Sequence, residues 1–240
     1  MTDAIFEQLE FETEEAKGDP SVLRLSLDAK AVVKIGPYSR GGKSRANTQG
    51  CDHDFHPKAT VTPYGIFLPQ LDEVFLYLAT SKVTSDFMAD TLDAWWHSNR
   101  GRFGHIKTLL INQDNGPENH SRRTQFMKRM VEFSITHKLN LLLAYYPPYH
   151  SKYNPIERVW GVLEHHWNGD ILDEIETVVK LAQTMTWMGK HPAVTLVTQT
   201  YQTGVKLTQK AMAHVETQIQ RLTNSTREGL PEGASHLCTE

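Results

Sequence analysis

Residues 139–167 read LNLLLAYYPPYHSKYNPIERVWGVLEHHW, and the fold turns on how this stretch divides. LNLLLAYY is a continuous apolar run of strand length ended by Pro147 and Pro148, as expected of a strand buried on both faces. A polar loop follows. Asn154 then suits an N-cap, Pro155 suits the first helical turn, and Trp160 and Leu163 stand at helical spacing from Ile156. Glu157 falls three residues past Asn154, the place of a capping-box acid. A strand, a rigid loop and a capped helix thus mount one carboxylate in a defined direction, which becomes useful chemistry where other carboxylates converge on it.

Working outward, VLRLSLD at 22–28 alternates. Leu23, Leu25 and Leu27 share one face and Arg24, Ser26 and Asp28 the other, which predicts a strand carrying Asp28. After a glycine-rich loop at 36–50, VTPYGIFL and VFLYLAT predict two more strands with Pro69 and Gln70 at the turn. SDFMADTLDAWWHSN predicts a helix with Ser85 as N-cap and an apolar face of Phe87, Leu92, Trp95 and Trp96. IKTLLIN predicts a buried strand that stops at Gln113-Asp114-Asn115-Gly116, and 118–138 carries helical spacing. Further helices are expected at 171–187 and over KLTQKAMAHVETQIQRL. The fold class is therefore α/β: an antiparallel three-strand meander extended by parallel strands into a mixed sheet, flanked by helices and followed by a C-terminal helical extension. The expected boundaries are an acidic linker at 1–20, a core at 21–168, the helical extension at 169–223 and a frayed tail at 224–240.

Asp28 rides the first strand, Asp114 follows the fourth, and Glu157 opens the helix after the fifth. With the first and fourth strands as parallel neighbours, the first two acids meet at the ligand-bearing edge of the sheet and Glu157 approaches from the helix. Three acids so gathered repel one another, and burial raises their pKa values unless cations compensate. All-oxygen ligation favours Mg²⁺ or Mn²⁺. Taken singly, each acid has a plain alternative: a solvent-facing strand residue, a turn former in DNG and a capping partner.

In order, LSLDAKAVVKIG, LLINQDNGPEN and YHSKYNPIERVW resemble the acid motifs of DDE-type transposases with an RNase H-like core. The SxxNPIE element is similar to the third-acid motif of the mariner superfamily and related bacterial insertion-sequence transposases. LDAKAVVKIG with RGGKSR, QDNGPEN, PPYHSKYNPIERVWG and TYQTGVKLTQKAM together resemble the Rhodopirellula-type transposase DDE domain over roughly residues 20–220. The resemblance implies metal-dependent DNA cleavage and strand transfer, with Asp28, Asp114 and Glu157 as catalytic residues holding two Mg²⁺ or Mn²⁺ ions. It implies DNA partners, both element ends and target, and a homodimer assembled on DNA. Arg40, Lys43, Arg45, His150 and Lys152 are the candidate DNA contacts, beside a solvated-loop alternative. Asn115, Asn119 and Asn154 are candidates for orienting the acids or their water, beside turn formation and capping. A helix-turn-helix region, ordinary in similar transposases, is not seen ahead of Asp28. The competing expectation is a non-catalytic DNA-binding or interaction protein derived from a transposase.

Other signals are weaker. GPYSRGGKS places Pro37 where a phosphate-binding loop needs its first glycine. Cys51, His53, Asp54 and His56 have no second ligand pair with zinc spacing, and Cys51 and Cys238 form no disulfide framework. His165 and His166 are adjacent and diverge on a helix. The chain is 39% hydrophobic and 22% charged with net charge −3, ordinary for a globular domain and without the basicity of a chain that grips nucleic acid over its whole surface. No apolar run reaches membrane length and the start is acidic, so a cytoplasmic protein, nucleoid-associated when on DNA, is expected.

Overall fold

A computed structural model describes residues 13–14, 18–42, 50, 57–147, 151–222 and 234–237. The five strands read from the sequence are all present: β1 (Val22–Ala29), β3 (Ala59–Leu68), β4 (Glu73–Ala79), β5 (Thr108–Gln113) and β6 (Asn140–Tyr145), with a short β2 (Val33–Ile35) paired to β3. β1 pairs antiparallel with β3, β3 antiparallel with β4, and β1, β5 and β6 run parallel. The order β4-β3-β1-β5-β6 is the meander plus parallel strands of an RNase H-like sheet.

Period-two alternation sorts β1 between two cores. Leu23, Leu25 and Leu27 enter a cluster with Phe87, Trp95 and Phe126 from α1 (Ser85–Asn99) and α2 (Thr124–His137). The opposite face of the sheet is covered by α3 (Ile156–His166) and α4 (Ile175–Thr184), whose Ile156, Trp160, Leu163 and Val178 pack on Val61, Phe67 and Leu76. The sheet is thus sandwiched, and β1 lies at its centre.

Several boundaries differ from the sequence expectation. Thr84, not Ser85, caps α1: its hydroxyl accepts the Phe87 N–H, while Ser85 Oγ donates to the Glu118 carbonyl. The helix expected from 118 starts at Thr124, because Glu118–Arg123 is a loop held by an Arg123–Glu118 ion pair and by the Asn119 side chain. The C-terminal segment is helical at α4 and α5 (Gln209–Glu216), but it also adds β7 (Ala193–Val197), parallel to β4 at the sheet edge. The final helix, expected to reach Leu222, stops at Glu216, and Thr217 Oγ1 turns back to the His214 carbonyl. Ile219–Leu222 then forms β8, paired with β9 (Ala234–Leu237), which lies within the segment read as frayed. Among the described residues no helix is long and apolar enough to cross a membrane.

Candidate active site

The C-terminal end of β1 carries Asp28 on the face that receives α3. Its carboxylate is partly buried, and the Trp160 indole Nε1 donates to Asp28 Oδ2 at 2.9 Å. The helix reaches this close because the residue paired with Asp28 across the β1–β3 ladder is Gly65. A Cβ on Gly65 would stand 2.4 Å from Ile156 Cδ1 and 2.8 Å from Trp160 Cη2, so the missing side chain makes the seat for α3.

The start of α3 is tied down from β1. Asn154 does not cap the helix with its side chain, as the sequence suggested; it is 1% exposed and turned toward the strand. Its Nδ2 donates to the Leu27 carbonyl at 2.9 Å and its Oδ1 accepts from Ser26 Oγ at 2.5 Å. Ser26 Oγ in turn accepts the Ile156 N–H at 3.0 Å, satisfying one of the donors a helix leaves open at its N-terminus. The Asn154 backbone carbonyl accepts from the Glu157 N–H. Glu157 stands in the first turn of α3, where the helix dipole favours a carboxylate.

Asp114 is held more locally. Asn119, 5% exposed, points Nδ2 at Asp114 Oδ1, the Asp114 carbonyl and Gln113 Oε1, at 3.1, 3.0 and 3.2 Å. Gly116 keeps the turn tight: a Cβ there would meet Asn119 Oδ1 at 2.8 Å. Asn115, the other candidate for orienting water, is exposed in the turn. Asp28, Tyr64, Asp114, Glu118 and Asn119 border a cleft of about 220 Å³.

The electrostatics link all three acids. Burial raises the Asp28 carboxyl to about 7, the Trp160 hydrogen bond opposes the rise, and the charges of Asp114 and Glu157 add to it. Burial also raises the Tyr64 phenol, helped by Asp28 and Asp114, so this hydroxyl stays protonated at neutral pH. Oxygen donors that repel one another in a partly desolvated cleft fit a hard divalent cation in kind and in charge. Among the described residues, however, no three His, Cys, Asp or Glu side chains stand close enough to hold one ion.

The candidate DNA contacts scatter. Arg40 is engaged within the protein: Nη2 pairs with Glu164 Oε1 at 2.9 Å, and the guanidinium lies 5.3 Å from the Trp167 ring centroid. Lys30 takes the other Glu164 oxygen at 2.9 Å, so this acid of α3 clasps both the residue that follows β1 and the loop after β2. Lys152 is exposed beside Tyr153. Lys43, Arg45 and His150 lie outside the described residues, as do Cys51, His53, Asp54 and His56.

Ser26, Gly65 and the Trp160 bond to Asp28 were not read from the sequence. Gly65 had a signal, since a glycine inside an apolar strand marks a close approach. Ser26 and Trp160 had none, because their partners lie 128 and 132 positions away.

No curated protein matches the chain in sequence. Among solved structures, it is 13% identical to one titled as a Mos1 transposase paired-end complex with left transposon end, with TM-score 0.48, covering 71% of this chain and 50% of that one. It is 10% identical to one titled as the Mos1 mariner paired end complex with Mn, with TM-score 0.49, covering 75% and 52%. The chain therefore spans about half the length of these structures. The sequence model described as Rhodopirellula transposase DDE domain matches residues 1–227 and takes in β1, the Asp114 turn and the start of α3. The chain belongs to the Rhodopirellula transposase DDE domain family.

Proposed function

We propose that this chain is a transposase catalytic domain that cleaves and joins DNA strands, with Asp28, Asp114 and Glu157 as its catalytic carboxylates and residues 21–168 as the catalytic core. The observation that carries the reading is that, within a chain of a DDE transposase family, Asp28 and Asp114 border one cleft while the helix start that bears Glu157 is tied by hydrogen bonds to the strand of Asp28. Two Mg²⁺ or Mn²⁺ ions, when bound, supply activation of water or a DNA 3′-hydroxyl and stabilisation of the leaving oxygen. The protein's own part is orientation. Trp160 fixes one oxygen of Asp28 and Asn119 fixes one oxygen of Asp114, so neither carboxylate would have to be ordered on substrate binding. Glu157 is presented from the first turn of a helix anchored on β1. Asn154 supports that anchor, and Asn119 supports the Asp114 turn.

DNA is the substrate this chemistry takes, both as element end and as target. Specific recognition of ends calls for an element that reaches base edges, such as a helix-turn-helix region, with a homodimer bridging two ends. Arg40, Lys43, Arg45, His150 and Lys152 remain the proposed phosphate contacts, Arg40 only after exchanging Glu164 for a phosphate.

Nicking of supercoiled plasmid in Mg²⁺ or Mn²⁺ tests the reading. Asp28→Asn, Asp114→Asn and Glu157→Gln should each remove nicking while the fold persists, a loss of several kcal/mol of transition-state stabilisation. A Glu157→Gln protein that nicked or joined precleaved ends at the normal rate would sink the assignment. A wild-type chain that bound DNA but never cut would favour a non-catalytic descendant.

A further inference from the structure

We propose that Ser26 is a positioning residue of the carboxylate centre: its hydroxyl, two residues before Asp28, sets where Glu157 stands and so tunes divalent-metal affinity. This rests on the reading that Glu157 is a metal ligand.

Ser26 is 0% exposed, between Leu25 and Leu27 on a strand face it shares with Arg24 and Asp28. A buried hydroxyl without partners is destabilising, so the strand carries it only with partners in place. Both of its partners lie at the start of α3. The hydroxyl donates to Asn154 Oδ1 at 2.5 Å and accepts the Ile156 N–H at 3.0 Å. Asn154 completes a closed loop of hydrogen bonds by donating to the Leu27 carbonyl, the residue between Ser26 and Asp28.

The geometry makes this more than a cap. The ordinary N-cap is the helix's own preceding residue, which fixes the helix to its own loop. Here the oxygen that accepts the helix N–H belongs to the strand that bears Asp28, so the helix start is referenced to that acid directly. Ile156 immediately precedes Glu157, leaving one residue of slack between the tethered amide and the carboxylate. On the other side, Gly65 lets Ile156 and Trp160 seat against the strand paired with Asp28. The apolar contact sets how close the helix lies, and the Ser26 hydroxyl sets its register along β1. Groups that orient metal ligands without touching the ion change affinity by about 10- to 100-fold when removed.

The test is a titration with Mn²⁺, read by electron paramagnetic resonance, on the full chain and on Ser26→Ala, Ser26→Thr, Glu157→Gln and the Ser26→Ala/Glu157→Gln double variant. Hydrogen exchange of the Ile156 amide is followed in parallel. Expected are roughly tenfold or greater weakening in Ser26→Ala with loss of Ile156 protection, near wild-type affinity in Ser26→Thr, and no further weakening when Ser26→Ala is added to Glu157→Gln. If Glu157→Gln binds Mn²⁺ as wild type does, the ligand reading fails and takes the inference with it. If Glu157→Gln is weakened but Ser26→Ala is not, or if the two effects add, the ligand reading stands and the positioning role of Ser26 falls. Should Ser26→Ala not fold, Ser26→Cys keeps the volume while weakening both hydrogen bonds, and the same outcomes apply.

Discussion

The two ends of the carboxylate centre are built in opposite ways. Asp114 is held by Asn119, five residues along the same turn, whereas Asp28 and Glu157 are brought together by bonds between positions 127 to 132 apart. The Asn119 bonds to Asp114 need only neighbours in sequence, although Glu118 of the same loop also bonds Ser85 at the start of α1. A junction between β1 and α3 exists only once the sheet and the covering helix have met. The local half can therefore be damaged without disturbing the fold, while the long-range half shares its energy with the core.

Asp28 gives the largest expected effect. A carboxyl raised to about 7 in the folded chain, against an ordinary value of 3.8, binds more protons folded than unfolded between those limits. Stability of the metal-free protein should therefore fall as pH rises from about 4 to about 7 and then level off. Asp28→Asn removes this cost, so the variant should exceed wild type at pH 8 by on the order of 4 kcal/mol, the gap closing toward pH 4. Equal pH profiles in urea unfolding would show that the junction does not burden Asp28.

Gly65→Ala is next. The added Cβ meets Ile156 and Trp160 inside 3 Å, and overpacking of this kind costs about 1–3 kcal/mol. Ile156 amide protection should fall with it, since the helix start is pushed from Ser26. Unchanged protection would mean that α3 is seated by something other than the Gly65 gap. The smallest effect is expected at the local end: Asn119→Ala removes a donor shared by three acceptors, for a loss of about 1–2 kcal/mol. It should leave Ile156 protection intact, and a drop there would break the distinction between the two halves.

The same division decides what was legible in the sequence. QDNGPEN shows its turn on its face, and NPIE shows a helix start, because proline, glycine and asparagine act on the backbone where they stand. The five main strands were legible from period-two alternation and from short apolar runs. β7 was not: Ala193–Val197 is five residues long and mostly exposed at the edge, so no buried face imposes a pattern on it. Asn154 was misassigned for a related reason. Its residue type is right for a cap, and only its distant partners Ser26 and Leu27 divert the side chain away from its own helix.

The long span between Ser26 and Ile156 also has a meaning in time. The two positions that close the centre are separated by 130 residues. At a ribosomal pace of about 5–20 residues per second, roughly 7–26 s pass between their synthesis. Throughout that interval β1 has been made but the face that presents Asp28 lacks its covering helix, and the pairing of β1 with β5 is itself non-local and slow to form. A nascent chain therefore holds Asp28 alone for about two thirds of that interval, and Asp28 with Asp114 for about the last third, before it holds Glu157. The carboxylate centre is complete only with α3, as a late event in the life of each molecule.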